Sequence, residues 1–240
     1  MRLLITIYFL TLIVYMAKSE NLAALKVGVQ AGGAIPNQNI EGSYAIPGLS
    51  FHAGIELFKK KTERIEFKSG LNLHYRNLTY GQEVKKDTLI SIEIQGQQGK
   101  VPSYYYAEAE GEMRFLSLEI PFNFYYIIKE KLFLQFGVWG YYHLYKYDSG
   151  TVHIQIGEGG VLDDLEESFD NENYLRQADF GLSGGIGYRF NPKLSMELEI
   201  QRGLFSVYKS GFTLPTDAES SFNAYNTYAL ISLRYKLFSF

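Results

Sequence analysis

His52, His74 and His143 have the widest chemical reach in this chain, and two of them stand near a hydroxyl or a charge: Ser50 before His52, Arg76 after His74. An imidazole within hydrogen-bond reach of a hydroxyl can act as general base for a nucleophile, and grouped imidazoles can hold a transition metal. Neither His-x-His nor His-Glu-x-x-His spacing occurs, so only the fold can assemble such a site. The second conspicuous set is acidic. Glu158, Asp163, Asp164, Glu166, Glu167, Asp170 and Glu172 follow one another with no basic residue until Arg176. Oxygen-rich runs suit Ca²⁺, but the D-x-D-x-D-G order of a calcium loop is missing, and a solvated acidic loop is the simpler expectation. No metal and no cofactor are expected. His52, His74 and His143 are weak rim candidates, read as members of a polar network rather than as catalysts.

What must position these side chains is a series of segments that alternate apolar and polar residues with period two. Eight are found. The first, 25–33, sets Leu25, Val27, Val29 and Ala31 against Lys26 and Gln30. The second, 49–58, sets Phe51, Ala53 and Ile55 against Ser50, His52 and Glu56, and the third sets Phe67, Leu71 and Leu73 against Glu66, Lys68, Asn72, His74 and Arg76. In the fourth and fifth, Leu116, Leu118, Ile120, Phe122, Leu134, Phe136 and Val138 oppose Ser117, Glu119, Asn123, Gln135, Tyr141 and His143. The sixth sets Phe180, Leu182 and Ile186 against Asp179, Ser183 and Arg189. The seventh sets Met196, Leu198 and Ile200 against Glu197, Glu199 and Gln201, and the eighth sets Ile231, Leu233 and Tyr235 against Ser232, Arg234 and Lys236.

The connections sort by length. Short ones fall at 59–63, 129–131 and 191–193, and long ones at 34–48, about 78–112, 146–176 and 208–223, in strict alternation. Short turns on one side and long loops on the other, with segments of about 9–11 residues between, are the pattern of an outer-membrane barrel. The expected fold is therefore all-β: an eight-stranded antiparallel transmembrane β-barrel with short periplasmic turns and long extracellular loops. Composition agrees, with 20 Tyr, 17 Phe and 23 Gly against 6 Pro. Aromatic girdles are expected from Tyr141, Tyr142, Tyr145, Tyr147, Phe205 and Tyr208 beside the long loops and from Tyr125, Tyr126, Tyr188 and Phe190 beside the short turns. Residues 1–19 read as a signal peptide, with Arg2, an apolar run and Ala17-Lys18-Ser19 as cleavage site, leaving 20–240 as the barrel domain. The chain has no cysteine and a net charge of −3, which excludes disulfides and gives no sign of a nucleic-acid partner.

The polar sides of the eight segments carry Lys26, Lys68, Arg76, Arg189, Arg234 and Lys236 against Glu56, Glu66, Glu119, Asp179, Glu197 and Glu199. Facing inward these charges cancel. An eight-stranded interior is just wide enough for side chains to fill, so a plugged lumen of ion pairs is expected rather than a pore. Gly181, Gly185 and Gly187 are expected to thin the wall and admit bulky neighbours.

Several runs resemble a known family. FLSLEIP at 115–121, DFGLSGGIGYRF at 179–190, QRGL at 201–204 and KVGVQAGG at 26–33 resemble strands of the PorT-like outer-membrane barrels abundant in Bacteroidetes. The resemblance implies the barrel fold, the outer-membrane location and a secretion-accessory role, and it carries no catalytic position. Such barrels end on an aromatic in phase with the outward face. Phe240 is out of phase with Leu233, Tyr235 and Leu237 by one residue, which a terminal bulge would absorb. The expected function is a non-enzymatic envelope or surface-interaction role. The expected partners are outer-membrane lipid and lipopolysaccharide, the barrel-assembly machinery during biogenesis, and a protein or surface ligand at the loops. Two alternatives are an outer-membrane hydrolase or transferase acting at the extracellular rim, which needs a histidine brought within reach of Ser or Asp, and a soluble lipocalin-like carrier, which needs apolar residues inside. The loop Leu89 to Ile94 also alternates and can fold back at the GQQG of 96–99, bringing Tyr104, Tyr105 and Tyr106 onto a return strand.

Overall fold

The computed structural model describes residues 21–36, 43–94, 97–158, 161–209 and 224–239. The expected signal peptide and Phe240 lie outside the described residues. Among these are ten strands: β1 (Asn21–Pro36), β2 (Ser43–Pro47), β3 (Ser50–Lys60), β4 (Ile65–Ile94), β5 (Gln97–Ile127), β6 (Leu132–Glu158), β7 (Val161–Asp170), β8 (Ala178–Arg189), β9 (Leu194–Ser206) and β10 (Ala224–Ser239). A single 3-10 turn, Glu172–Tyr174, lies between β7 and β8. Eight strands close a ring in the order β1-β3-β4-β5-β6-β8-β9-β10, all neighbours antiparallel and β10 pairing back to β1. Closure leaves no strand edge, which is the condition for strands to cross hydrocarbon.

The alternation read from sequence is the parity of the ring. Leu25, Phe51, Leu73, Phe136, Leu182, Leu198 and Ile231 are exposed on the outer wall, while Lys26, Glu56, His74, Glu119, Glu197 and Arg234 are buried inside. A soluble carrier would need the opposite arrangement, so the lipocalin-like expectation is overturned. Three tight turns close the periplasmic end. Lys61 N donates to Ile65 O (2.9 Å), Ile128 N to Leu132 O (2.9 Å) and Phe190 N to Leu194 O (3.0 Å). At the last of these the Asn191 carboxamide accepts from the backbone of Lys193 and Leu194, both at 2.8 Å, an Asx turn that Pro192 pre-sets.

The glycines act as expected by making room. A side-chain carbon added to Gly181 would strike the Trp139 ring, one at Gly187 the Phe133 ring, and one at Gly185 the Gln135 amide. Small residues on β8 thus accept large ones from β6 inside one narrow lumen.

The second outer connection takes the hairpin form that its alternation allowed, and the third differs from the loop expected. β4 and β5 stay paired from Ile65↔Tyr126 up to Ile94↔Gln97, so the long second loop is a projecting hairpin. Its return begins at Gln97, earlier than the GQQG reading; 95 and 96 lie outside the described residues. The acidic stretch is not a solvated loop. Val161–Asp170 forms β7, pairing with β6 from Glu158↔Val161 to Ser149↔Asp170. Above the membrane band, β2, β4, β5, β6 and β7 make a five-stranded sheet.

Two irregularities adjust the phase. Ala24 pairs with Lys236 but Ala23 with Phe238, leaving Leu237 as an extra residue. That bulge shifts the end of β10 by one position. Leu144 is extra where Ser117↔His143 gives way to Leu116↔Tyr145, so Leu144 and Tyr145 both face outward and Asp148 returns to the inside. The girdle needs correction: Tyr126, Tyr145, Tyr188, Phe190 and Phe205 are exposed on the wall, but Tyr125, Tyr141 and Tyr208 are buried. Tyr125 and Tyr141 have inward parity. Tyr208 lies beyond the end of β9, where it folds over the lumen.

Candidate functional site

The lumen is filled in layers, and the twelve charges assigned to it sort among them. At the periplasmic end Arg189 Nη2 donates to Glu66 Oε2 (2.6 Å), and Phe58, Tyr125 and Phe133 form an aromatic plug. Directly outward lies a cluster of three cations and three anions. Lys26 Nζ is 3.3 Å from Glu199, 3.6 Å from Glu56 and 3.7 Å from Glu197; Lys68 Nζ is 2.9 Å from Glu56 and 3.7 Å from Glu197. Arg234 Nη1 donates to Glu197, and its guanidinium sits 4.3 Å from the Phe58 ring centroid, 5.2 Å from Tyr125 and 5.4 Å from Phe133. Three opposite pairs, mutually bridged, leave no net charge in the low-dielectric interior.

The histidine layer follows. His52 and His74 stack with ring centroids 5.1 Å apart. His74 Nε2 lies 2.6 Å from Glu119 Oε2 and its Nδ1 3.0 Å from Gln30 Oε1. Gln30 is oriented by its own donation to Tyr75 O (3.2 Å). Glu119 also accepts from Asn72 and Gln201, each at 2.8 Å. His143 pairs with Ser117, Nδ1 to Oγ 2.7 Å, and His52 with Ser232, Nε2 to Oγ 2.9 Å. Ser50 takes no part: its hydroxyl bonds Gly48 O and accepts from Asn77 N. The two histidine–serine pairs were within reach of sequence parity, which puts Ser117 and Ser232 inward, but the strand order that makes them neighbours was not.

Arg76 crosses the next level between two aromatic faces, its guanidinium carbon 3.8 Å from the Tyr141 centroid and 4.1 Å from Tyr228. Its three nitrogens have no acceptor in good geometry. Asp179 bonds Asn226 Nδ2 (2.8 Å) instead. Among the described residues no ion pair holds Arg76, Asp179 or Lys236, so the expected ladder of paired charges is confined to the lower half and does not take in Lys236 there. Desolvated cation–π contacts of this kind contribute about 2 kcal/mol, which accounts for a lone guanidinium at 2% exposure.

Over the lumen lies an apolar cap of Ala34, Leu78, Met113, Phe115, Leu175, Val207, Tyr208 and Ala224. Phe115 roofs His143, ring centroids 4.8 Å apart. The cap lies beyond the outer girdle and is tied by Asp148, which accepts from Tyr80 (2.6 Å) and Tyr208 (3.1 Å). Burial raises the Asp148 carboxyl from 3.8 to about 6; burial beside that carboxylate also holds both tyrosine hydroxyls above their ordinary range. Because the folded value exceeds the unfolded one, Asp148 stabilises the cap most below about pH 4, and that contribution is lost as pH rises through about 6. Amide exchange, corrected for its intrinsic rate, is expected to show 171–176 and 206–209 better protected at about pH 4.5 than at about pH 7.5, and Asp148→Asn is expected to flatten that difference. Equal protection of the wild type at both pH values would contradict it.

A closed ring with an apolar outer wall, a charge-filled interior and short turns at one end defines an integral outer-membrane β-barrel protein. The chain belongs to the family described as outer membrane protein beta-barrel domain, whose sequence profile matches residues 19–209. No curated protein sequence matches it. Similar solved structures include Ail, the attachment invasion locus protein of Yersinia pestis, at 6% identity and TM-score 0.36, covering 91% of this chain and 99% of that one. They also include the outer membrane protein OprG of Pseudomonas aeruginosa, at 10% identity and TM-score 0.35 with 92% and 97% covered. A third is the outer membrane protease OmpT of Escherichia coli, at 9% identity and TM-score 0.32 with 91% and 97% covered.

Proposed function

We propose that this protein is a non-enzymatic barrel that anchors an extracellular β-sheet for surface interaction. The observation that carries the reading is the continuation of β4, β5 and β6 beyond the outer girdle, where β2 and β7 extend them sideways. Strands outside the closed ring have edges, and an edge is a place where an extended segment of a partner can add. A lumen packed by ion pairs and roofed by the cap supports a non-conducting role. The likeness of its runs to PorT-like barrels supports a secretion-accessory role within the same reading, the outer sheet being the contact surface. Its partners are then outer-membrane lipid and lipopolysaccharide around the wall, the barrel-assembly machinery during biogenesis, and a protein or surface ligand at the sheet.

The Ser117–His143 pair favours a second reading, since a hydroxyl 2.7 Å from an imidazole is the geometry of an activated nucleophile. Both side chains are buried beneath Phe115, which supports the structural role instead. One set of measurements separates the readings. Residues 84–107 are excised and Glu83 joined to Glu108 through Asn-Gly, a two-residue hairpin turn. The shortened barrel is expected to insert and fold, to stay silent in planar bilayers like the wild type, and to lose binding of surface ligands to intact cells. The reading fails if binding survives the excision, if stable single-channel conductance appears, or if lipase, acyltransferase or protease activity is present and disappears in Ser117→Ala.

A further inference from the structure

On the outer wall, Ile120, Gly140 and Phe180 lie side by side in register on β5, β6 and β8. Gly140 faces outward, and a side-chain carbon placed there would meet no heavy atom within 4 Å. The gap opens into a groove of about 320 Å³ bounded by Leu118, Tyr142 and Phe205. Phe180 and Phe205 stand edge to face at 4.7 Å and make one wall of it. The groove lies within the apolar band, where the surrounding medium is hydrocarbon, so an acyl chain is the occupant its chemistry and place select.

Cations gather at the rim directly above. Arg176 precedes Ala178 by two residues on the line of β8, and its guanidinium carbon is 5.8 Å from the Phe205 ring. Arg176 N donates to Val207 O and Lys209 N to Tyr174 O, both at 2.8 Å, which lays Lys209 beside Arg176. Lys146, opposite the inward Phe115, is turned away from this face and bonds the carbonyls of Glu172 and Leu175, both at 3.0 Å. Arg176 and Lys209 leave a positive patch at headgroup height, continuous with an apolar groove below it.

We propose that this rim and groove seat one phosphorylated, acylated lipid of the outer leaflet, with a chain lying over Gly140 and a phosphate on Arg176 and Lys209. The site is on the outside of the wall, separate from the extracellular sheet and from the lumen. The test is native mass spectrometry of the intact barrel in detergent, titrated with bis-phosphorylated lipid A, its dephosphorylated form, and the deacylated phosphorylated sugar. Bis-phosphorylated lipid A is expected to be retained at one per barrel. Arg176→Gln with Lys209→Gln is expected to weaken it about 25-fold, since each cation near an anionic surface contributes roughly fivefold. Gly140→Leu places its Cβ where no heavy atom lies within 4 Å and extends into the groove, so folding, followed by heat modifiability, is expected to persist while lipid retention falls about as far. The dephosphorylated form is expected to be insensitive to the rim variant. The proposal is overturned by retention unchanged in either variant, by the deacylated sugar binding as tightly as lipid A, or by Gly140→Leu altering oligomeric mass instead of lipid retention, which would give the groove to a second copy of the chain.

Discussion

Arg234→Met is expected to lower the unfolding free energy of the barrel by about 3–5 kcal/mol, the cost of breaking a fully buried ion pair from one side. Arg234 is 0% exposed and donates to Glu197, which Lys26 and Lys68 approach only to 3.7 Å. Methionine keeps much of the contact with Phe58, Tyr125 and Phe133 but leaves three carboxylates facing two ammonium groups in a closed, water-poor space. Charge balance is then the discriminating variable. Removing Glu197 together with Arg234, as Met in both positions, restores two cations against two anions. The double variant is expected to be more stable than the single one by about 1 kcal/mol or more, a coupling that neighbouring charges show and independent sites do not. Urea unfolding in lipid vesicles measures both. A single variant within about 0.5 kcal/mol of wild type, or two additive losses, would show that the six charges do not act as one cluster.

That cluster also shows how much of the fold was legible in the amino-acid order and where legibility stopped. Strand parity was readable because an eight-stranded barrel imposes one demand on every spanning residue: apolar outward, polar or small inward. Lys26, Lys68, Arg234, Glu56, Glu197 and Glu199 could therefore be placed inside together before any pairing was known. Above the membrane the demand lapses. β7 carries Asp163, Asp164, Glu166 and Glu167 in pairs rather than in alternation, so its strand character left no periodic mark and only the pairing with β6 reveals it. Aromatics were ambiguous for a different reason. Tyr126 and Tyr125 are neighbours beside the same turn, yet one is exposed on the wall and the other is buried against Phe58 and Phe133. Residue type placed both in a girdle; parity, applied strictly, separates them.

For the candidate site, sequence placed His52, His74 and His143 inward but could not choose their partners. Partnership across strands depends on register: the pairing that starts at Ile127↔Phe133 runs unbroken to Ser117↔His143, and the extra Leu144 shifts only the pairs beyond it. The Arg76 sandwich was equally hidden. Tyr141 and Tyr228 come from β6 and β10, 87 positions apart by the numbering, and meet only because the ring closes. The equal count of inward acids and bases suggested a uniform ladder. The structure concentrates the pairing below the histidines and leaves Arg76 to aromatic faces and Asp179 to Asn226.

Leu198→Arg is expected to cost about 2–4 kcal/mol, while Leu204→Arg, on the same strand and the same face, is expected to cost only about 0–1 kcal/mol. Both leucines are about half exposed on the wall, so in water the two changes would be nearly equivalent. Depth separates them. Leu198 lies four residues above the Asn191 turn's closing Leu194, midway along the spanning part of β9, where an arginine cannot reach a headgroup without deforming the bilayer. Leu204 is close to Phe205 and the outer girdle, where the guanidinium extends to the surface. Refolding each variant into vesicles of fixed thickness and measuring the unfolding free energy gives the two costs directly. Equal costs at both positions would place the hydrocarbon band elsewhere on β9. A larger cost at Leu204 would invert the barrel's depth profile, and with it the assignment of the Gly140 groove to the acyl region.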